Sequence, residues 1–163
     1  MIRLFNRIPG NYWTEAIGKN LSPVARVTEI YLLTCPNSNS IGIFMEHPSS
    51  IAYATGLKEK DVDEALNELS SAGRLYREAG NWIFVVLRWS FEYCGNNLKN
   101  LKGAFGLLKA VNANLSEKFG EKYPDFSIRL QSLQEEYADK MAIAKDSGGT
   151  NTDAIGDAIG DRS

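Results

Sequence analysis

Residues 22–89 read, in order, as a helix, a short strand, two helices and a two-stranded hairpin. That order predicts an α+β chain, mostly α, built on a winged helix-turn-helix. Two further observations complete the fold class. Apolar residues recur at helical spacing in two stretches after residue 96, and the last residues, rich in Gly, Asn, Thr and Asp, show no apolar period. The expected organisation is a winged-helix domain over 1–95, an extension of two or three amphipathic helices over 96–145, and a disordered acidic Gly/Asp tail over 146–163.

Residues 3–17 form a lead-in. Arg3-Leu4-Phe5 reads as a short strand and Pro9-Gly10-Asn11 as a turn, with Tyr12 and Trp13 expected to anchor the arm on the core. Ser22-Pro23 supplies an N-cap and a proline at the first helical position. Val24, Val27, Ile30 and Tyr31 then share one face of the first helix, which Cys35-Pro36-Asn37-Ser38 ends. Residues 41–45 are apolar and too short for a helix, so they read as a strand able to join the hairpin edge. His47-Pro48-Ser49-Ser50 opens the second helix, with Ile51, Ala52 and Ala54 inside and Gly56 closing it.

The third helix runs over 58–72, with Val62, Ala65, Leu66 and Leu69 as its buried stripe and Gly73 after it. Residues 75–78 and 82–86 flank the turn Ala79-Gly80-Asn81, a hairpin pattern. Beyond Cys94-Gly95-Asn96-Asn97, the residues Leu98, Leu101, Phe105 and Leu108 recur at steps of three and four. Asn112 to Asn114 interrupt the pattern, 115–119 reads as a short helical turn, and Tyr123-Pro124 is a break. Asp125 can cap a last helix whose stripe is Phe126, Leu130, Leu133, Tyr137, Met141 and Ala144.

Charge is balanced overall, at −2, so no global field draws the chain to nucleic acid or an anionic membrane. Locally it is uneven. Residues 1–95 hold nine Lys/Arg and ten Asp/Glu, residues 96–124 five and two, and residues 125–163 four and eight. Two cysteines, Cys35 and Cys94, stand far apart without a C-x-x-C pattern, which argues against zinc and for a reduced, cytoplasmic setting. No apolar run is long enough for a signal peptide or a membrane span.

Nothing in the sequence points to catalysis. The one histidine, His47, has no nucleophile–base set around it, and no phosphate-binding G-x-x-x-x-G-K-[ST] loop occurs. The tail repeat, Asp153-Ala154-Ile155-Gly156 and Asp157-Ala158-Ile159-Gly160, spaces its acids by four, whereas an EF-hand loop alternates its ligands. A non-enzyme without cofactor or metal is expected.

Binding is the remaining class. In a winged helix the third helix enters the major groove and the wing touches the backbone. The matching residues are Lys58 and Lys60 at the start of the third helix, Asn67 further along it, and Arg74 and Arg77 on the wing. Ser49, Ser50 and Tyr53 on the second helix can meet phosphates through hydroxyls. Lys99, Lys102 and Lys109 lie off the apolar stripe of their helix and form a basic face able to run along a DNA backbone, with Lys99 and Lys102 as further DNA-binding candidates. Against DNA stand Glu59, Asp61, Asp63, Glu64 and Glu68 on the third helix, because phosphate neutralisation supplies most non-specific affinity. A protein-binding use of the same fold, through Glu59, Asp63 and Glu64 and through Leu130, Leu133 and Tyr137, stays open.

The segment Ser-Pro-Val-Ala-Arg-Val-Thr-Glu-Ile-Tyr-Leu-Leu-Thr-Cys-Pro-Asn-Ser-Asn-Ser-Ile-Gly-Ile-Phe resembles the opening of phage replication initiators, also called replisome organisers. The likeness continues through Ile51-Ala52-Tyr53-Ala54-Thr55-Gly56-Leu57, Val62-Asp63-Glu64-Ala65-Leu66, Leu69, Ala72-Gly73 and Trp82-Ile83 to Trp89, and weakly through 97–123. It covers about two-thirds of the chain. The resemblance implies an N-terminal winged helix that recognises origin-type double-stranded DNA, with Lys58, Lys60, Asn67, Arg74 and Arg77 as contacts. It also implies a C-terminal part that meets host replication proteins. The acidic third helix and the short C-terminal part depart from that pattern.

The leading expectation is therefore a non-catalytic phage or prophage replication protein in the bacterial cytoplasm. It binds double-stranded DNA, and its helices over 98–144 serve self-association or docking to a replisome protein such as the host replicative helicase. The alternatives are an adaptor or inhibitor of the same fold acting on a host replication protein, and a dimeric transcription regulator.

Overall fold

The computed structural model describes residues 10–13, 20–91 and 97–146 together with Ile8, and side chains as far as residue 143. The expected strand at Arg3-Leu4-Phe5, Cys94, and the tail after residue 146 lie outside the described residues. The described residues are mostly helical with one small antiparallel sheet.

Helix α1 (Pro23–Thr34) begins where Ser22-Pro23 places it. Ser22 Oγ accepts from the Ala25 N–H at 3.1 Å, satisfying one of the orphan donors of the first turn. The cap is completed from across the fold: Glu68 accepts from the Ser22 N–H and from its hydroxyl, both at 2.6 Å. Strand β1 (Ile43–Met45), helix α2 (Pro48–Thr55), helix α3 (Glu59–Ser71) and strands β2 (Leu75–Glu78) and β3 (Trp82–Val85) follow. The strand order is β1-β3-β2, so the segment expected at the hairpin edge does join it, beside β3. Ile43 faces Phe84 and Leu75 faces Val85 in the register.

Two glycines fix this sheet. Gly42 has φ of 72°, a left-handed conformation that favours glycine. It ends β1 two residues inside the expected strand. A Cβ there would stand 2.5 Å from Val85 O and 2.7 Å from Arg88 Cβ. At the hairpin tip Gly80 and Asn81 are both left-handed, at φ 77° and 61°, which suits the right-handed twist of a tight hairpin.

Successive strand residues point to opposite faces, and both faces are covered. Phe44, Ile83 and Val85 pack toward α1–α3 with Ala25, Leu32, Val62 and Leu66. Ile43 and Phe84 pack the other way, against Leu101, Leu115, Phe119 and Phe126. That second layer is made by α5 (Leu98–Ala110), α6 (Ala113–Lys122) and α7 (Asp125–Asp146), which follow the short α4 (Leu87–Phe91). Asn97 caps α5 by accepting from the Lys99 N–H at 2.9 Å, and Asn112 caps α6 by accepting from the Leu115 N–H at 3.2 Å. Trp89, Phe119, Tyr123 and Phe126 meet ring to ring with centroids 5.0–6.4 Å apart.

Several expectations change. The buried face of α1 is Ala25, Thr28, Glu29, Leu32 and Leu33, while Val27 is exposed and Val24, Ile30 and Tyr31 are half-buried. Of the two arm aromatics only Tyr12 is buried; Trp13 lies edge-on to it at 5.2 Å and is exposed. Ala54 and Phe105 are exposed, and the turn read at 115–119 is a ten-residue helix because Asn112 caps it. Among the described residues no helix is long and apolar enough to cross a membrane.

Candidate nucleic-acid interface

Helix α3 packs Val62, Ala65, Leu66 and Leu69 inward. The helical period then turns Glu59, Asp63 and Asn67 outward as one ridge, with Lys60 and Glu64 beside it, all exposed. The hairpin delivers Arg77 to this ridge. Its Nη2 lies 3.9 Å from Asp63 Oδ1, and its Nη1 donates to Asn67 Oδ1 at 3.5 Å. Lys60 Nζ lies 3.7 Å from Glu64 Oε1 one turn on. Contacts this long and this exposed hold a side chain weakly, at about 0–1 kcal/mol. Lys58 stands at the N-cap position of α3 with its side chain in solvent. On α2, Ser49 and Ser50 are exposed, with Ser49 Oγ 3.3 Å from His47 Nδ1, and the Tyr53 side chain is 94% exposed.

Arg74 does not belong to this surface. Its Nε donates to Glu29 Oε1 at 2.7 Å and its Nη2 to Glu29 Oε2 at 2.6 Å. Its side chain is 16% exposed and that of Glu29 1%. The expected phosphate contact is instead half of a desolvated ion pair. Tyr12 donates its hydroxyl to the same carboxylate at 2.5 Å, and burial, then this hydrogen bond, pushes the Tyr12 phenol well above its ordinary pKa. Glu68 is likewise absent from the acidic face, since it serves the Ser22 cap.

The outward ridge and its surroundings therefore carry three cations, Lys58, Lys60 and Arg77, and four carboxylates, Glu59, Asp61, Asp63 and Glu64. Lys99 and Lys102 are exposed on α5, in the layer across the sheet, and Lys102 Nζ lies 5.7 Å from the centre of the Tyr137 ring. Of the residues expected to meet a protein through α7, Leu130 is buried in the core and Leu133 is half-buried against it, leaving Tyr137 at the surface. Leu130 is thus a packing residue rather than a contact, because the start of α7 buries it in the cluster that holds Leu101, Leu115 and Phe119.

Two acids carry structural roles that sequence patterning does not mark: Glu29, buried against Arg74, and Glu68, partly buried against Ser22. Ala25, Leu32 and Leu33 share a helix face with position 29, but Val24, Val27, Ile30 and Tyr31 offer a competing apolar face, so the local pattern leaves the phase undecided; for Glu68 no local pattern distinguishes it from its exposed neighbours. Among the described residues, no group of three or more His, Cys, Asp or Glu is placed to hold a metal. Compared with protein-family models, with curated proteins and with solved structures, the chain finds no match.

Proposed function

We propose that the chain is a non-catalytic replication protein of a phage or prophage and that residues 22–89 form a winged helix-turn-helix holding double-stranded DNA. The observation that carries this reading is the element order with its β1-β3-β2 sheet, which leaves the outer ridge of α3 uncovered with the hairpin beside it. In a winged helix those two elements meet the groove and the backbone. The resemblance to replication initiators supports the same reading. Lys58 and Arg77 hold phosphates, Ser49, Ser50 and Tyr53 add hydroxyl contacts, and Asn67 reads a base edge once Arg77 turns from it to a phosphate. Lys60 adds a phosphate contact at the price of its weak pair with Glu64.

The test is fluorescence anisotropy with mixed-sequence duplex DNA across a salt series. Wild type is expected to bind at low ionic strength with a salt-dependent constant. Lys58→Gln/Arg77→Gln is expected to lower the slope of log K against log salt by about 1.8, at about 0.9 per phosphate neutralised. Binding insensitive to salt, or none at low salt, overturns the reading.

A second reading is favoured by one observation: carboxylates outnumber cations around the α3 ridge, and Lys60 and Arg77 face acids of their own chain. On this reading the ridge meets a basic face of a host replication protein. Glu59→Lys/Asp63→Lys separates the two: charge reversal strengthens duplex binding if DNA is the ligand, and releases the partner in a pull-down if a protein is.

A further inference from the structure

Helix α5 contains lysines and no acidic residue. Lys99, Lys102 and Lys109 are all exposed. At about 100° per residue they share, with Gly106, one arc of about 80° turned away from the buried Leu101 and Ala104. From Lys99 to Lys109 the arc is about 15 Å long, at about 1.5 Å per residue. Among the described residues none of the three lies within ion-pair distance of a carboxylate, in contrast to Lys60 and Arg77 on the α3 side. Two of the three ammonium groups lie over aromatic rings: Lys102 Nζ is 5.7 Å from the Tyr137 centroid and Lys109 Nζ 4.3 Å from that of Phe105. Such contacts position an ammonium without cancelling its charge.

Gly103 and Gly106 lie exposed between these lysines, and a Cβ on either would meet no atom within 4 Å. Packing among the described residues therefore does not require them, although glycine is a poor helix former. A bare backbone at that place lets another backbone come close, and the charge around it selects an anionic one.

The arc is also separate from the α3 ridge. The layer α1–α3 covers the sheet face of Phe44 and Ile83, and the layer α5–α7 covers the face of Ile43 and Phe84. Duplex DNA is stiff over about 150 bp, so a straight segment on α3 does not reach α5 on the far side.

We infer that the Lys99–Lys102–Lys109 face of α5, with Gly103 and Gly106 between the lysines, is a second nucleic-acid face that takes the phosphate backbone of another duplex segment. One copy of the chain then bridges two segments. The inference rests on the duplex-binding reading of α3 for its first segment. An anionic membrane is the weaker ligand for this face, because the apolar side of α5, Leu101 and Ala104, is already buried in the cluster with Leu115, Phe119 and Phe126.

The experiment pairs a donor-labelled and an acceptor-labelled short duplex and follows energy transfer on adding the full chain. Wild type is expected to bring the duplexes together. Lys99→Gln/Lys102→Gln/Lys109→Gln is expected to bind one duplex still, but to lose pairing at least about tenfold and to lower the salt slope of the paired complex by about 2.7. Gly106→Leu keeps every charge and improves helix propensity, so it is expected to weaken pairing without lowering the thermal midpoint. Unchanged pairing in either variant overturns the second face while leaving the α3 reading intact. Loss of all duplex binding in Lys58→Gln/Arg77→Gln also overturns it, since α5 would then hold nothing alone. No binding by wild type at low salt overturns both readings, and capture by phosphatidylserine vesicles in place of duplex overturns the choice of ligand.

Discussion

Arg74 grips Glu29 with two parallel hydrogen bonds, Nε to Oε1 at 2.7 Å and Nη2 to Oε2 at 2.6 Å, across 45 residues of sequence. The pair ties the start of the hairpin to the middle of α1, and Tyr12 ties the N-terminal arm to the same carboxylate. Planar, bidentate pairs are the strong form of this interaction. Their value shows when one partner is removed, because the other is left charged and desolvated.

Arg74→Ala is accordingly expected to lower the unfolding free energy by about 3–5 kcal/mol, read from urea denaturation. Arg77→Ala, whose partners lie at 3.5 and 3.9 Å in solvent, is expected to change it by less than about 1 kcal/mol. The order reverses for DNA. Under conditions where both variants are folded, Arg77→Ala is expected to lower the salt slope by about 0.9 and Arg74→Ala to leave it unchanged. Equal slopes in the two variants would remove Arg77 from the interface.

Neutralising the ridge tests its acids. Glu59→Gln/Asp63→Asn removes two exposed carboxylates and frees Arg77 from its weak pair. Duplex binding at low ionic strength is expected to tighten by roughly tenfold, with the gain shrinking as salt screens it. Stability is expected to stay within about 1 kcal/mol, because neither residue packs in the core. Weaker binding after neutralisation would mean that the carboxylates themselves meet the ligand, as they would with a basic protein surface.

The same residues show how much of the fold could be read from sequence. The element order, the capping of α1 by Ser22 and the inner stripe of α3 follow from local rules: an N-cap hydroxyl, a 3.6-residue period and turn residues. The phase of α1 does not. Thr28 and Glu29 interrupt its buried side, and the polar interruption makes sense only with Arg74 beside it, a contact that local patterning does not encode. Helix α4 escaped for a similar reason, since Arg88 is fully buried within it. The candidate site divides the same way. Exposure of Lys58, Arg77 and Tyr53 follows from their position off the apolar stripes, whereas the withdrawal of Arg74, Glu68 and Leu130 depends on long-range partners.

Gly42 gives a test of the sheet. Any side chain at φ 72° is strained, and here the added Cβ would also stand 2.5 Å from a carbonyl oxygen of β3. Gly42→Ala is expected to destabilise by about 2–4 kcal/mol through backbone strain and overpacking together, measured by thermal or urea unfolding. Gly103→Ala, in open space on α5, is expected to stabilise by about 0.5–1 kcal/mol. A neutral Gly42→Ala would mean that β1 and α4 can separate without cost.

Cys35 and Tyr31 predict the alkaline limit of the fold. Burial, with the Glu46 charge adding to it, pushes the Cys35 thiol from about 9 up to about 11 and the Tyr31 phenol from 10.0 to about 12. In both groups the folded state favours the protonated form. Their contribution is therefore fully present below the unfolded value and is lost as pH rises through the folded one. Stability is expected to hold from neutral pH to about 9, then to fall by on the order of 2 kcal/mol toward pH 11 as the unfolded chain gives up its Cys35 proton first. In a Cys94→Ser background, Cys35 is expected to resist iodoacetamide at pH 8 when folded, because the thiolate is the reactive form and is scarce there. Urea is expected to restore ordinary labelling. Rapid labelling of the folded chain at pH 8 would contradict a buried thiol, and a Cys35→Ala variant whose stability falls as steeply between pH 9 and 11 would assign the alkaline loss to other groups.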